Sequence, residues 1–571
     1  MADENGNDPV TPANAGSRVR MDGDKTTELT TLHEQLEVAG WGKFQRTALM
    51  AFLLFVVSEG MEVMVPNVVW GGMHDIKGKP SFGPSEQGHS STFRAIVTGA
   101  PMLGNIVGGL VGGCVADTYG RHVAINMHSG IFVLASLASG LSQDETSFVV
   151  SRMALGLSLG IVIPVIVSWM AEITPSAKRA RAVVMIPGFG IPCGQIVMLI
   201  FGFVMHKFSA SIGEYSASVG GDADESWWRV MLVAGIVPNL IGLLIVRIYV
   251  PESPHFLLST GNQIAAERVV LQIAQVNGTE DRLLNSGRLR FLPHDDKGQD
   301  ETGSSRYGGV RISVLESTVE RWRRQSLELL SPPLHLYMLV LLSIWMFAGF
   351  GQIGSDIILP KMLEEVMDLD MEGRLTALLL TQILAWPAFI LVIFLLEYND
   401  EWSRRTVCMS VAAASAGAAL VTGVSLHEGL LSLIISSIFL KMLAHCTMAS
   451  LDLYAVELLP CSHRATGLAI ANGGSKAVGV LVAFFALSTI MTSGGSAGTA
   501  HYMIFAAAFA AAATILAVSP QDGGSTGHLI IDYSELCAAH DSNELGYRGE
   551  TEGRIGGVPS YGAVSVAEKA A

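Results

Sequence analysis

Charge is what this chain has least of. Only 15% of its 571 residues are charged, half are hydrophobic, and the mean hydropathy is +0.43. A soluble chain would carry about a quarter charged residues. Basic surplus is missing too: the net charge of −15 argues against nucleic acid and against tails that bind anionic lipid. The six cysteines (Cys114, Cys193, Cys408, Cys446, Cys461 and Cys537) show no spacing that suggests a metal site or a disulfide framework. No Gly-x4-Gly-Lys-Ser/Thr occurs, which sets aside an ATP-driven pump. No nucleophile–histidine arrangement supports an enzyme, and neither a cofactor nor a metal is expected. A cleavable leader is not expected either, because the first 40 residues are polar and the first apolar stretch is long enough to span.

What is present in quantity is apolar length. The hydrophobic residues fall into twelve segments of about 20, each long enough to cross a bilayer. They lie near 45–68, 93–115, 123–142, 147–170, 183–205, 228–250, 335–359, 374–396, 406–425, 429–454, 466–491 and 500–519. Residues 1–40 and 520–571 each hold eight acids against three bases and so supply −10 of the net −15. Both are poor in residues to bury and read as disordered tails. The expected organisation is an acidic tail over 1–43, a six-helix half over 44–250, a central loop over 251–334, a second half over 335–519 and a second tail over 520–571. Within the loop, 262–276 and 313–330 have helical spacing, suited to lying on the membrane face or to a regulatory contact, with a Gly/Asp/Ser linker between them.

A pair of polar signatures occurs twice. Asp117-x-x-Gly120-Arg121 is followed by Glu172-x-x-Pro175-x-x-x-Arg179-Ala180. Asp400-x-x-Ser403-Arg404-Arg405 is followed by Glu457-x-x-Pro460-x-x-x-Arg464-Ala465, at offsets of 283 and 285 residues. A period this long points to duplication of half a membrane protein, a common plan of secondary transporters. Lys and Arg near the span ends place both termini and these signatures in the cytosol. Asn277-Gly278-Thr279 is then a glycosylation sequon on the wrong side for modification. Gly104, Gly108, Gly109, Gly112 and Gly113 in span 2, with Gly188, Gly190 and Gly194 in span 5, let backbones approach closely, either at a moving seam between the halves or in static packing.

Gly113-x-x-x-Asp117-x-x-Gly120-Arg121 and its degenerate second copy resemble the signature of the major facilitator superfamily. Trp228-Arg229 followed by Pro251-Glu252-Ser253-Pro254 resembles its sugar-porter-like and organic-ion branches. Gly40-Trp41-Gly42-Lys43-Phe44-Gln45 leading into Glu59-Gly60-Met61-Glu62-Val63-Met64 is similar to the synaptic vesicle glycoprotein 2-related group. The resemblance covers roughly residues 37–518. It implies an all-α membrane protein with twelve transmembrane helices in two pseudo-symmetric six-helix halves, working as a monomer, with spans 1, 4, 7 and 10 around the pathway. The chain departs from the subgroup in carrying Glu59 for Asp, and Lys441 and Lys476 for Arg. Lys keeps the charge but loses the bidentate fork.

Ionisable groups inside spans are costly and by default mark function. Glu59 and Glu62, three residues apart, share a helix face; two close carboxylates suit proton coupling or substrate contact, or form a structural pair answered by Lys441 or Lys476. Lys441, with His445 one turn on, would meet an anionic substrate or a span 1 carboxylate. Lys476 and Arg152 either reach the cavity or snorkel to the membrane surface. Trp345 and Gln352 in span 7, with Gln382 and Trp386 in span 8, can line a cavity for a ring-shaped solute or merely pack. Asp356 is a gate or a solvated residue. The loops form a conformational latch of Gly113, Asp117, Gly120, Arg121, Glu172 and Arg179, matched by Asp400, Arg404, Arg405, Glu457 and Arg464. Asp117 would cap span 3, Arg121 would reach Glu172, and Arg404 or Arg405 would reach Glu457; the alternative is loops that only cap helices.

These features describe a secondary transporter for a small organic solute, proton-coupled, in the plasma membrane or an intracellular vesicle. Lys441 and the Glu pair lean towards an organic anion or zwitterion. The alternative is a vesicle or receptor-like protein that keeps the fold without transporting.

Overall fold

The computed structural model describes residues 32–74, 91–219, 227–285, 334–387, 404–459, 464–493 and 495–519, with Leu327, Ile390 and 392–394. Its described residues form seventeen helices. The first half runs through α1 (Leu32–Ala39), α2 (Lys43–His74), α3 (Ser91–Tyr119), α4 (Arg121–Leu141), α5 (Glu145–Glu172), α6 (Ser176–Val219), α7 (Trp227–Ala234) and α8 (Ile236–Tyr249). Three short helices follow: α9 (Pro254–Ser259), α10 (Gln263–Asn277) and α11 (Glu280–Asn285). The second half comprises α12 (Leu334–Glu365), α13 (Met371–Ala385), α14 (Arg404–Ser425), α15 (Leu430–Leu458), α16 (Arg464–Ser493) and α17 (Gly495–Val518).

Eleven spans among the described residues are long and apolar enough to cross a bilayer, and the chain is a multi-pass integral membrane protein. Span 6 is α7 plus α8, interrupted at Gly235. The expected eighth span is described as the fifteen-residue α13, and most of its remainder lies outside the described residues. The end of the expected N-terminal tail is instead ordered, as α1 packs Leu36 and Ala39 out of solvent, whereas 1–31, 520–571 and most of 313–330 lie outside the described residues.

Helix starts follow their capping residues. Asp144 accepts a hydrogen bond from the Ser147 amide, Ser253 from that of Phe256 ahead of Pro254, Asn262 from that of Ala265, and Asp370 from that of Gly373. Helix α5 is buried almost all round, including Trp169, as a central span must be.

Backbone approach holds each half together. A Cβ added at Gly108 would sit 1.8 Å from the Leu157 carbonyl oxygen of α5, and one at Gly160 would sit 2.1 Å from that of Asn105. Gly194 of α6 fits as closely on the Val57 carbonyl of α2, at 2.1 Å. These glycines therefore serve packing inside the first half rather than the seam between halves. Gly113 is different: its Cβ would lie 3.0 Å from Thr466 Cα of α16. Across the seam α3 runs along α16, while α6 meets α13 and α15.

The short helices close one face of the first half. The Asn277 amide nitrogen donates to the carbonyls of Ala39 (3.2 Å) and Gly40 (3.0 Å) and to Gln45 Oε1 (2.9 Å), and its Oδ1 accepts from the Phe44 amide (3.0 Å). Gln45 continues the joint to the Ile173 carbonyl, 3.2 Å away. The sequon asparagine is thus a structural clasp, and the Gly40–Gln45 stretch is shaped around it. A Cβ at Gly42 would lie 2.3 Å from Asn277 Oδ1.

Candidate functional site: an interlocked latch and an intramembrane charge cluster

The latch residues of the first half sit where α3 ends, α4 starts and α5 ends. Arg121 is 3% exposed, and its guanidinium donates to Glu172 Oε1 (2.8 Å) and to the Ala116 carbonyl (2.9 Å), with Asp117 3.4 Å away. Phe256 lies under it, 5.3 Å from ring centroid to guanidinium carbon. The expected Arg121–Glu172 contact is present.

Asp117, however, does not cap span 3. Glu252 does, accepting from the backbone amides of Arg121 (2.9 Å) and His122 (3.2 Å). Gly120, at φ 97°, leaves the space: a Cβ there would fall 2.5 Å from Glu252 Oε2. Asp117 turns to the other half, where its carboxylate accepts from Thr466 Oγ1 (2.8 Å) and the Thr466 amide (3.3 Å) at the first turn of α16.

The second signature was expected to close on itself; its described side chains do otherwise. Arg405 donates to the carbonyls of Ser519 (2.6 Å) and Ala517 (2.8 Å), capping the end of α17. Arg464 is buried, and its charge acts on Glu172 of the first half. Arg179 acts on His255, whose Nδ1 sits 3.1 Å from the Glu172 carbonyl. The side chains of Asp400, Arg404 and Glu457 lie outside the described residues. The two signatures therefore interlock across the seam.

Inside the membrane the charges pair differently from the sequence expectation. Glu62 is bound to Arg152 at 2.6 Å, both buried, so Arg152 neither snorkels nor stands free in a cavity. Glu59 faces elsewhere: the charge acting on it is Lys476 of α16, which also acts on Asp452 of α15. The two glutamates answer to different bases and are not a coupled dyad. Glu59 and Asp452 are each 4% exposed, and each has a buried oxygen, Glu59 Oε2 and Asp452 Oδ1, with no hydrogen-bond partner. Glu59 belongs to the first half, Asp452 and Lys476 to the second. Asp452 was overlooked in the sequence, although the rule that selects Glu59 selects it equally.

Lys441 meets neither span 1 carboxylate. Its ammonium lies 3.1 Å from Asp356, and His445 Nδ1 is 2.9 Å from the Lys441 carbonyl. At the seam, Trp386 packs edge-on against Phe189 of α6, with ring centroids 5.4 Å apart. Gln382, one turn earlier on the same face, is buried with Nε2 unpartnered; the Trp345 and Trp386 Nε1 groups are buried and unpartnered too. Gln352 is half-buried. Among the described residues the spans thus hold buried donors and buried carboxylate oxygens without partners, groups of the kind a polar ligand satisfies.

Comparison with known proteins agrees with this architecture. The family described as "Sugar (and other) transporter" matches residues 66–519. The chain belongs to that family. It has the major facilitator fold, and the family is one of transporters rather than enzymes. It is similar to synaptic vesicle glycoprotein 2A of Rattus norvegicus, 23% identical over 349 residues that cover 59% of this chain and 44% of that protein. It is also similar to the arabinose-proton symporter of Bacillus subtilis, 25% identical over 38% of this chain and 43% of that one. The chain thus matches under half the length of these relatives. The solved proton:xylose symporter XylE bound to 6-bromo-6-deoxy-D-glucose shares the fold at a TM-score of 0.62 and 16% identity, covering 85% of this chain and 97% of that one.

Proposed function

We propose that the protein is a secondary carrier that moves a small polar organic solute by alternating access, coupled to protons. The observation that carries this reading is the pair of orphaned carboxylates, Glu59 and Asp452, buried in opposite halves and sharing Lys476. Such a group is costly inside a membrane unless ligand or proton completes it. It spans the joint that must open and close, so ligand bound there draws the halves together and proton exchange loosens them. The buried, unpartnered donors of Gln382, Trp345 and Trp386 are groups of the kind that a polyhydroxylated solute such as a sugar would satisfy. The names of the arabinose and xylose symporters point the same way. With Lys441 engaged by Asp356, an organic anion has lost the base that first suggested it.

The test is uptake into proteoliposomes of D-xylose, L-arabinose, myo-inositol, an organic anion and an organic cation, with and without an inward proton gradient. Sugar uptake that rises with the gradient and falls in Glu59→Gln and Asp452→Asn supports the reading. Flux indifferent to gradient and variants sinks proton coupling, and no flux of any solute from well-folded protein favours a non-transporting role.

A further inference from the structure

Among the described residues, each half has an acid–base pair that joins its first span to its fourth. Glu62 of span 1 meets Arg152 of span 4 at 2.6 Å; Asp356 of span 7 meets Lys441 of span 10 at 3.1 Å. Their depths correspond. Glu62 lies 19 residues into α2 and Asp356 22 into α12, about 28 and 33 Å along the helix axes. Arg152 and Lys441 lie 7 and 11 residues into α5 and α15, which run the other way. Both pairs therefore lie beyond the middle of their spans, on the side away from the latch. The duplication visible in the loops extends to an intramembrane ion pair.

The copies differ in exposure. The Glu62 and Arg152 side chains are 0% and 2% exposed. Asp356 is 21% exposed and lines a cavity of about 10 Å³ with Ser355, Ser437, Lys441 and Tyr502, room for one water. Ser437 Oγ is buried there without a hydrogen-bond partner, the kind of group an ordered water satisfies. The titratable groups facing Asp356 are Lys441 and His445 from α15 and Tyr502 from α17. The bases on the other packed helices are turned elsewhere: Arg374 of α13 pairs with Glu364, and Lys476 of α16 acts on Glu59 and Asp452.

We propose that Asp356 and Lys441 form a second proton-exchange site, separate from the Glu59–Asp452 group, loaded through the water-sized cavity from the face away from the latch. A hydronium on that side gives its proton to the Asp356 carboxylate, which becomes a neutral acid as a water is released. Lys441 keeps its proton and loses its counter-charge. A buried ammonium without a partner is unfavourable, so the loaded state is poised to change conformation. Returning the proton to water on the other side restores the pair. The protein thus carries one proton more per cycle than a single-site carrier would. This inference rests on the proton-coupled reading above.

The test needs no cargo. Infrared difference spectra of the full chain in lipid bilayers are recorded between about pH 9 and about pH 4, a window wide enough for carboxyl groups of differing surroundings. The expected result is a protonated-carboxyl carbonyl band that loses one component in Asp356→Asn, retains it at a shifted frequency in Asp356→Glu, and changes midpoint in Lys441→Met. Asp356→Asn spectra that superimpose on those of the parent overturn the proposal, as does a component untouched by Lys441→Met. If Asp356→Asn does not fold, the frequency shift in Asp356→Glu decides: no shift overturns the proposal. Failure of every cargo in the uptake panel would instead strike the carrier reading and leave this band in place.

Discussion

The carboxylate of Asp117, at the end of span 2, is hydrogen-bonded to Thr466 at the start of span 11, with 2.8 Å from its oxygen to the threonine hydroxyl. A residue of the first signature therefore holds the first turn of the helix that follows the second signature. With Arg464 acting on Glu172, the repeated loops are two parts of one fastening across the seam. Rocking of the halves must break both contacts.

Asp117→Ala is expected to lower transport severalfold while leaving the protein folded and correctly inserted. It orphans the Thr466 hydroxyl and amide and removes a charge beside Arg121, at a cost of about 1–3 kcal/mol. Parallel uptake and thermal-stability measurements check this. Normal uptake by well-expressed variant protein would refute it.

The Glu62–Arg152 pair predicts an asymmetry. Arg152→Met alone leaves a buried carboxylate uncompensated and should destabilise the first half by about 3–5 kcal/mol. Adding Glu62→Gln should recover much of the loss. Thermal unfolding of the single and double variants reads the difference, and additive losses would show that the pair is not coupled.

Glycine substitutions should separate tight from open positions. Gly108→Ala forces a carbon onto the Leu157 carbonyl, 1.8 Å away, whereas at Gly130 an added Cβ meets nothing within 4 Å. The first should impair folding. The second should be neutral or stabilising by about 0.4–1 kcal/mol. Yield of monodisperse protein distinguishes them.

His255, outside the membrane-spanning segments, gives the latch face a pH dependence. Burial pushes its pKa from 6.5 down to about 4, against the attraction of Glu172 and with the help of Arg464, Arg179 and Arg121. The folded state thus favours neutral imidazole, while the unfolded chain takes up a proton near pH 6.5. This contribution is complete above about pH 6.5 and is lost as the pH falls towards about 4. His255→Gln should flatten the stability profile in that window, measured as melting temperature against pH; an unchanged slope would count against it.

Much of this was legible in the sequence, and what was not has a physical reason. Span count, duplication and the Arg121–Glu172 contact follow from local pattern and from loops brought together by adjacent helices. Partners set by tertiary geometry did not follow. Glu59 and Glu62 are close in sequence, yet one is answered by α16 and the other by α5; spacing gives a shared face but not the neighbour on each side of it. Glu252 was visible in its Pro-Glu-Ser-Pro stretch as a family mark, but its capping of α4 depends on how the chain turns back after span 6. Lys441 advertised a carboxylate partner, and only packing identified it as Asp356.

The interlock is tested most directly by distance, independent of cargo. Spin labels at Val123 and Val518, 46% and 82% exposed in the two halves at the latch face, would be introduced into a cysteine-free background and compared with and without Asp117→Ala. If Asp117 fastens the halves at that face, the variant shows a new, longer-distance population that the parent lacks. Superimposable distance distributions would contradict the interlock.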